Sequence, residues 1–277
     1  MDYKRILTIQ DISCMGQCSM TVALPILSAC GLETCILPSA VLSTHTGGFT
    51  GPNIRDLTDD LPAIESHWLR ENIRFDAIYT GYLGSVRQID MVAHIFDSLL
   101  IPDGKILVDP AMADHGKLYR GFDGAYVEAM KRLCAKADVI LPNLTEACLL
   151  TDTPYEERYD EAFLQPILKK LEHMGAKCVV LTGYSAVPGQ TGVLIQNGTT
   201  RYTYSHAKIG RGYHGTGDGF ASAFTGCWVG GKSMIDAARI AADFVCKCIE
   251  NTIGDDQHWY GVKFETALPY LIHRLYE

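Results

Sequence analysis

The stretch RILTIQDISCMGQCSMTVALPILSACGLETCIL, Arg5 to Leu37, decides the fold. Arg5 to Gln10 is short and rich in apolar and β-branched side chains, which reads as a strand. A loop of small residues follows, then an apolar helical run from about Ser19 to Cys30, and Thr34 to Leu37 reads as a second strand. Strand, helix, strand in that order is a β-α-β start, in which the helix returns the chain so that the strands can lie side by side and parallel.

Working outward, Asp76 to Thr80, Lys105 to Val108, Val139 to Leu141 and Cys178 to Leu181 are further short strand candidates ending in polar or turn residues. Helical periodicity separates most of them. Val86, Ile89, Val92, Ala93, Phe96 and Leu100 recur at spacings of three and four, as do Phe163, Ile167, Leu171 and Met174. This alternation predicts an α/β fold with a central, mainly parallel sheet covered by helices on both faces. Asn197-Gly198 between Val193 to Ile195 and Tyr202 to Tyr204 predicts an antiparallel hairpin. From Gly217 onward the chain reads as helical. No linker, repeat or low-complexity segment interrupts it, so residues 1–277 read as one domain.

Composition narrows the function. With 277 residues, 47% apolar and 20% charged, the chain has a full-sized core and is neither disordered, collagenous nor coiled coil. Lys and Arg total 24 against 32 Asp and Glu, a net charge of -8 without a long basic run, which argues against nucleic-acid binding by bulk electrostatics. If such a protein handles phosphates, backbone N–H groups and a metal ion must supply much of the positive field. Ten cysteines are scattered without a C-x-x-C pair, the pattern of reduced thiols in a cytoplasmic setting. The charged start, Met1 to Ile6, has no secretory apolar segment, and the charge-free stretch Ile12 to Leu32 is too broken by Ser13, Gly16, Gln17, Ser19, Pro25 and Ser28 to span a membrane.

In open α/β sheets ligands bind beyond the carboxyl ends of the strands, where this chain places Asp11, Thr80-Gly81-Tyr82, Asp109, Asn143 to Glu146 and Thr182-Gly183. Gly226 to Ser233 satisfies the Walker A pattern but lacks the strand a P-loop needs before it. It reads instead as a helix ending near Gly230-Gly231, with Ser233 capping the next one. Gly215-Thr216-Gly217-Asp218 is the better nucleotide element: its glycines let backbone N–H groups turn toward an anion at a helix start, and Asp218 beside them is placed to take a proton from an attacking hydroxyl. A plain helix cap is the competing reading of these residues. Asn143-x-x-Glu146 offers oxygen ligands suited to Mg²⁺ on one turn, or simply a capped helix start.

Taken together these motifs resemble the ribokinase-like superfamily and, within it, the vitamin B6 kinases. The resemblance runs through L-T-I-Q at Leu7 to Gln10, S-x-H-T at Ser43 to Thr46, T-G-Y at Thr80 to Tyr82, D-P-x-x-x-D from Asp109 to Asp114, P-N-x-x-E from Pro142 to Glu146, Leu181-Thr182 and G-T-G-D. It implies a three-layer α/β sandwich and ATP-dependent phosphorylation of the hydroxymethyl group of pyridoxal, pyridoxamine or pyridoxine. It further implies Asp218 as catalytic base with Gly215, Thr216 and Gly217 as the anion hole, and Asp109, Asp114, Asn143, Glu146 and Thr182 around the nucleotide. Mg²⁺ would lie near Glu146 and Asp109, a monovalent cation is possible beside it, and Asp11, His45, Thr46 and Tyr82 would hold the pyridine. The family usually forms homodimers. The rivals are a hydroxymethylpyrimidine kinase with the same fold and G-T-G-D, a non-catalytic B6-binding protein, and a sugar kinase. The Gly-rich segment His115 to Ala125 reads as a mobile lid over the substrate.

Overall fold

The computed structural model describes residues 3–210 and 212–277, so Met1, Asp2 and Arg211 lie outside the described residues. In chain order its elements begin with β1 (Arg5–Ser13), α1 (Met20–Ala29), β2 (Glu33–Leu42), β3 (Ile54–Asp56), α2 (Leu61–Arg70), β4 (Phe75–Thr80), α3 (Val86–Leu99) and β5 (Leu100–Val108). They continue with β6 (Ala113–Asp114), β7 (Lys117–Leu118), α4 (Gly124–Cys134), β8 (Val139–Ile140), α5 (Leu144–Leu150), α6 (Glu161–Met174) and β9 (Cys178–Tyr184). The remainder is β10 (Gln190–Asn197), β11 (Thr200–Ala207), α7 (Thr216–Val229), α8 (Met234–Thr252) and, after a short 3₁₀ turn, α9 (Leu268–Tyr276).

Nine strands form one sheet in the order β11-β10-β9-β8-β5-β4-β1-β2-β3. The six from β9 to β2 run parallel, while β3 at one edge and the β10-β11 pair at the other are antiparallel. Strand alternation divides the core. Ile6, Tyr79, Leu107 and Val180 pack toward Val22, Ile26, Phe224 and Phe244 of α1, α7 and α8, whereas Leu7, Ile78, Val108 and Val179 pack toward Ile89, Phe96, Leu133 and Leu164 of α3, α4 and α6. This is the parallel sheet covered on both faces that the β-α-β alternation predicts, and the three-layer α/β sandwich that the ribokinase-like resemblance implies.

The Walker A look-alike is structural. Gly226 lies inside α7, where a Cβ would overlap Cys30 Sγ, so the glycine lets α7 lie close to α1. The Ser233 hydroxyl accepts from the Asp236 N–H at 3.1 Å and starts α8. Several strands run further than their apolar residues suggest: β2 continues past Leu37 to Leu42, and β5 begins at Leu100, the last residue of the expected helical repeat. β1 continues to Ser13 because its pairing with β2 resumes after a register slip between Gln10 and Ile12, so Asp11 lies within the strand at that irregularity instead of behind it. Thr182 and Gly183 likewise belong to β9, held there by pairing with β10. β3 has no apolar pattern to announce it, since all three of its residues are exposed. Among the described residues no helix is long and apolar enough to cross a membrane. All ten cysteines are free thiols; six are buried, Cys18, Cys35 and Cys246 are half-buried and Cys14 is exposed.

Candidate active site

The head of α7 is built by Gly215, which takes a left-handed conformation (φ 76°) as the residue before the helix. A Cβ on Gly215 would overlap the carbonyl oxygen of Gln17 in the β1-α1 loop. The two loops therefore approach as closely as backbone allows. The Thr216 hydroxyl donates to the Tyr213 carbonyl at 3.0 Å, fixing the turn. First-turn N–H groups have no acceptor within their own helix, and they carry the positive end of its dipole. Asp218, in this first turn, accepts from the Ser19 N–H; burial, with the Asp11 charge adding to it, pushes its carboxyl up to about 6.

Asp109 follows β5 directly, with its N–H bonded to the Thr80 carbonyl at 2.9 Å. Asn143 and Glu146 form a complete capping box at the start of α5: Asn143 Oδ1 accepts from the Glu146 N–H and Glu146 Oε2 accepts from the Asn143 N–H. Glu146 Oε1 also accepts from the Met112 N–H at 3.1 Å, and Asn143 Nδ2 donates to the Ala113 carbonyl. The capping reading and the site reading thus hold together, because the box presents a rigid carboxylate beside Asp109. Burial raises the pKa of both acids, and for Asp109 the charges of Glu146 and Asp218 raise it further. Thr182 N–H donates to the Pro142 carbonyl at 2.9 Å, which brings Thr182 beside Asn143. Asp114 is more exposed, at the β6-β7 hairpin.

No group of three or more His, Cys, Asp or Glu among the described residues forms a protein-only metal cage. Two nearly buried carboxylates, Asp109 and Glu146, lack any Lys or Arg ion pair among the described residues. That all-oxygen donor set fits Mg²⁺, which keeps several waters and takes only one or two carboxylates together with substrate phosphates.

Asp11 is buried, its Oδ2 accepting from the Ser13 hydroxyl at 2.9 Å. Its charge acts on both Tyr82 and Asp218, so it is near a ring-site candidate and the candidate base alike. Tyr82 stacks on Phe122, and Phe122 on Tyr126. His45 is buried and Thr46 exposed on the next position of the same loop. Residues the sequence reading missed complete this wall. Phe49 meets His45 edge-on at 5.0 Å and Trp259 at 4.6 Å, and His214, directly before Gly215, lies 5.2 Å from His45. The G-G-F after Ser43 to Thr46 and the W-Y-G at Trp259 to Gly261 were the available signals, two aromatic loops flanked by glycine.

The segment His115 to Ala125 is less open than a free loop. His115 and Gly116 make the positive-φ turn of the β6-β7 hairpin, Gly116 N–H donates to Thr145 Oγ1 at 3.0 Å, and Ala125 already belongs to α4.

The sequence profile of the phosphomethylpyrimidine kinases matches residues 27–262. The chain belongs to this family. Within the ribokinase-like fold it lies in the branch that includes the B6 kinases. A Bacteroides thetaiotaomicron protein classed with phosphomethylpyrimidine kinases and crystallised in a form with pyridoxal is 38% identical, with a TM-score of 0.92 over 98% of this chain and 96% of that one. The pyridoxal kinase of Lactobacillus plantarum is 32% identical, with a TM-score of 0.91 over 98% and 97% of the two chains. The hydroxymethylpyrimidine/phosphomethylpyrimidine kinase of Bacillus subtilis is 28% identical over 218 residues, 78% of each chain. This family member is accordingly a phosphotransferase of the B6 and pyrimidine type.

Proposed function

We propose that this kinase transfers the γ-phosphoryl group of ATP to the hydroxymethyl group of a B6 vitamer, in salvage of pyridoxal phosphate. The observation that carries the reading is Asp218 in the first turn of α7, buried beside the Gly215–Gly217 amides and within reach of the Asp11 charge. Phosphoryl transfer needs little covalent help from the protein; it needs alignment, charge stabilisation and a place for the hydroxyl proton. Tyr82, His45 and Thr46 orient the ring, and Asp218 takes the proton of the hydroxymethyl group as oxygen bonds to phosphorus. The Gly215, Thr216 and Gly217 amides receive charge on the transferring group, while Thr182 and Asn143 border the nucleotide phosphates. Asp109 and Glu146, with Asp114 nearby, would hold Mg²⁺, which when bound neutralises phosphate charge. One catalytic unit spans residues 1–277. A homodimer, a cytoplasmic setting and a monovalent cation near the phosphates complete the proposal on the strength of the resemblance.

The second reading, hydroxymethylpyrimidine as acceptor, is favoured by the Bacillus subtilis relative. A steady-state panel of pyridoxal, pyridoxamine, pyridoxine and hydroxymethylpyrimidine with Mg-ATP separates the two. At least one vitamer is expected to exceed the pyrimidine in kcat/KM; the reverse order against every vitamer rejects the B6 assignment.

Asp218 accepts a proton only when ionised, and its carboxyl is pushed up to about 6 in the free protein. The kcat/KM profile is therefore expected to hold above about pH 6 and to fall roughly tenfold per pH unit below it, since kcat/KM reports groups of the free enzyme. A profile flat to pH 5 would remove Asp218 as the base.

The His115 to Ala125 segment is proposed to close over bound substrate and exclude water. Hydrogen exchange of residues 117–123 is expected to slow with vitamer and a nonhydrolysable ATP analogue together. Unchanged protection would leave it an ordinary connection.

A further inference from the structure

Asp11 is a carboxylate 3% exposed, held by the Ser13 and Ser19 hydroxyls, and no Lys or Arg among the described residues pairs with it. Burying a carboxylate in this way is costly unless a cation meets it. The ring of His45 lies against Gly16, in the loop that follows Asp11, and its imidazole is committed elsewhere. Nδ1 accepts from the Gly47 N–H at 3.1 Å, which leaves the ring hydrogen on Nε2, where it is donated to the Tyr260 carbonyl at 2.7 Å. Both ring nitrogens of His45 are thus engaged by the backbone, and neither is left to pair with Asp11. The other titratable groups on which the Asp11 charge acts are Cys18, Tyr82 and Asp218, none of which brings positive charge. Around His45 the wall is aromatic, with Phe49 against it and Trp259 beyond. A carboxylate without a protein cation, next to aromatic rings, is the chemistry of a site for an organic cation.

We infer that Asp11 reads charge on the substrate: it takes a positively charged N–H of the bound heterocycle and so favours a cationic pyridine over a neutral aminopyrimidine. This rests on the B6 reading above and sharpens it. A 3-hydroxypyridine exchanges its phenolic proton to the ring nitrogen in neutral water and presents N–H⁺. An aminopyrimidine with a hydroxymethyl group is mainly uncharged there. Two groups of a vitamer carry the required charge, the ring N–H⁺ common to all three and the exocyclic aminium of pyridoxamine alone.

The test measures kcat/KM for the three vitamers and hydroxymethylpyrimidine with the wild type and Asp11→Asn, alongside melting temperature and binding followed by tryptophan fluorescence. Asn keeps the size and accepts from Ser13 but carries no charge. Losing a charge-assisted hydrogen bond is expected to cost the vitamers about 10- to 100-fold, mostly in KM, and the pyrimidine less than about threefold. An equal loss on all three vitamers locates the contact at the ring nitrogen; a loss concentrated on pyridoxamine locates it at the aminium. Vitamers unchanged, or the pyrimidine falling as far as they do, overturns the inference. Should Asp11→Asn not fold, wild-type binding decides: pyridoxine is expected to bind at least about tenfold more tightly than its analogue with C–H in place of the ring nitrogen, and pyridoxamine to compete with it, whereas equal binding of pyridoxine and that analogue, with no preference for pyridoxamine, overturns the idea. If the wild type phosphorylates none of the four compounds, the B6 reading fails; the fluorescence comparison still reports on charge reading by itself.

Discussion

Asp218→Asn is expected to lower kcat by about 10²–10⁴ while leaving the melting temperature nearly unchanged. A primary alcohol is a poor nucleophile at neutral pH, and its proton must leave as the bond to phosphorus forms. The carboxylate stands in the first turn of α7, where, in the proposed site, the backbone amides and the helix dipole would receive the phosphoryl charge. Asn retains the side-chain oxygen that accepts from Ser19 N–H, so the fold has little reason to notice the change. Gly215, not Asp218, precedes the helix, and the Thr216 hydroxyl fixes the turn, so no capping bond is lost. Turnover and unfolding measured on one preparation check this. Near-wild-type kcat would remove Asp218 from proton transfer.

Gly215→Ala is expected to damage both activity and stability. The residue sits at φ 76°, a region costing a non-glycine residue about 1–2 kcal/mol, and the added Cβ would overlap the Gln17 carbonyl oxygen. In a protein of this size that strain lowers the melting temperature by roughly 2–4 °C or more. Relieving it must move either the β1-α1 loop or the turn that aims the amides. Misplacing one oxyanion donor costs about 10²–10³ in kcat, so kcat/KM should fall by about 10² or more. A variant with reduced stability but intact turnover would mean that these amides do not touch the transferring group.

The parallel sheet was legible because each central strand is a short apolar or β-branched run ending at polar or turn residues, and the stretches that form α3 and α6 repeat at three and four. The hairpin was legible from Asn197-Gly198, where Gly198 takes φ 56°. β3 was not, since Ile54, Arg55 and Asp56 are held in the sheet only by backbone pairing with β2. The same reason hid the true end of β1: hydrogen bonds carry the strand past Gln10 after the side chains stop looking like a strand. Asp109, Asn143, Glu146 and Asp218 were readable because each stands just beyond a strand or at a helix start, where the fold itself exposes polar groups to a ligand. Phe49, His214 and Trp259 were not, because 210 residues of sequence separate Phe49 from Trp259, which the fold places 4.6 Å apart. Only tertiary structure tells such an aromatic pair from two exposed loop residues.

Gln17 is in contact range of two glycines far apart in the chain: a Cβ at Gly215 would strike its carbonyl oxygen, and one at Gly261 its own Cβ. The β1-α1 loop proposed to border the ring is therefore also the mould against which the G-T-G-D turn and the C-terminal aromatic loop are cast. In evolutionary terms, acceptor preference and transfer geometry are not separate traits here. A lineage drifting toward another heterocycle through residues 13–19 would pull the G-T-G-D turn with it, so specificity should change more readily through Phe49, His214 or Trp259, and a library meant to retarget the enzyme should be spent there first.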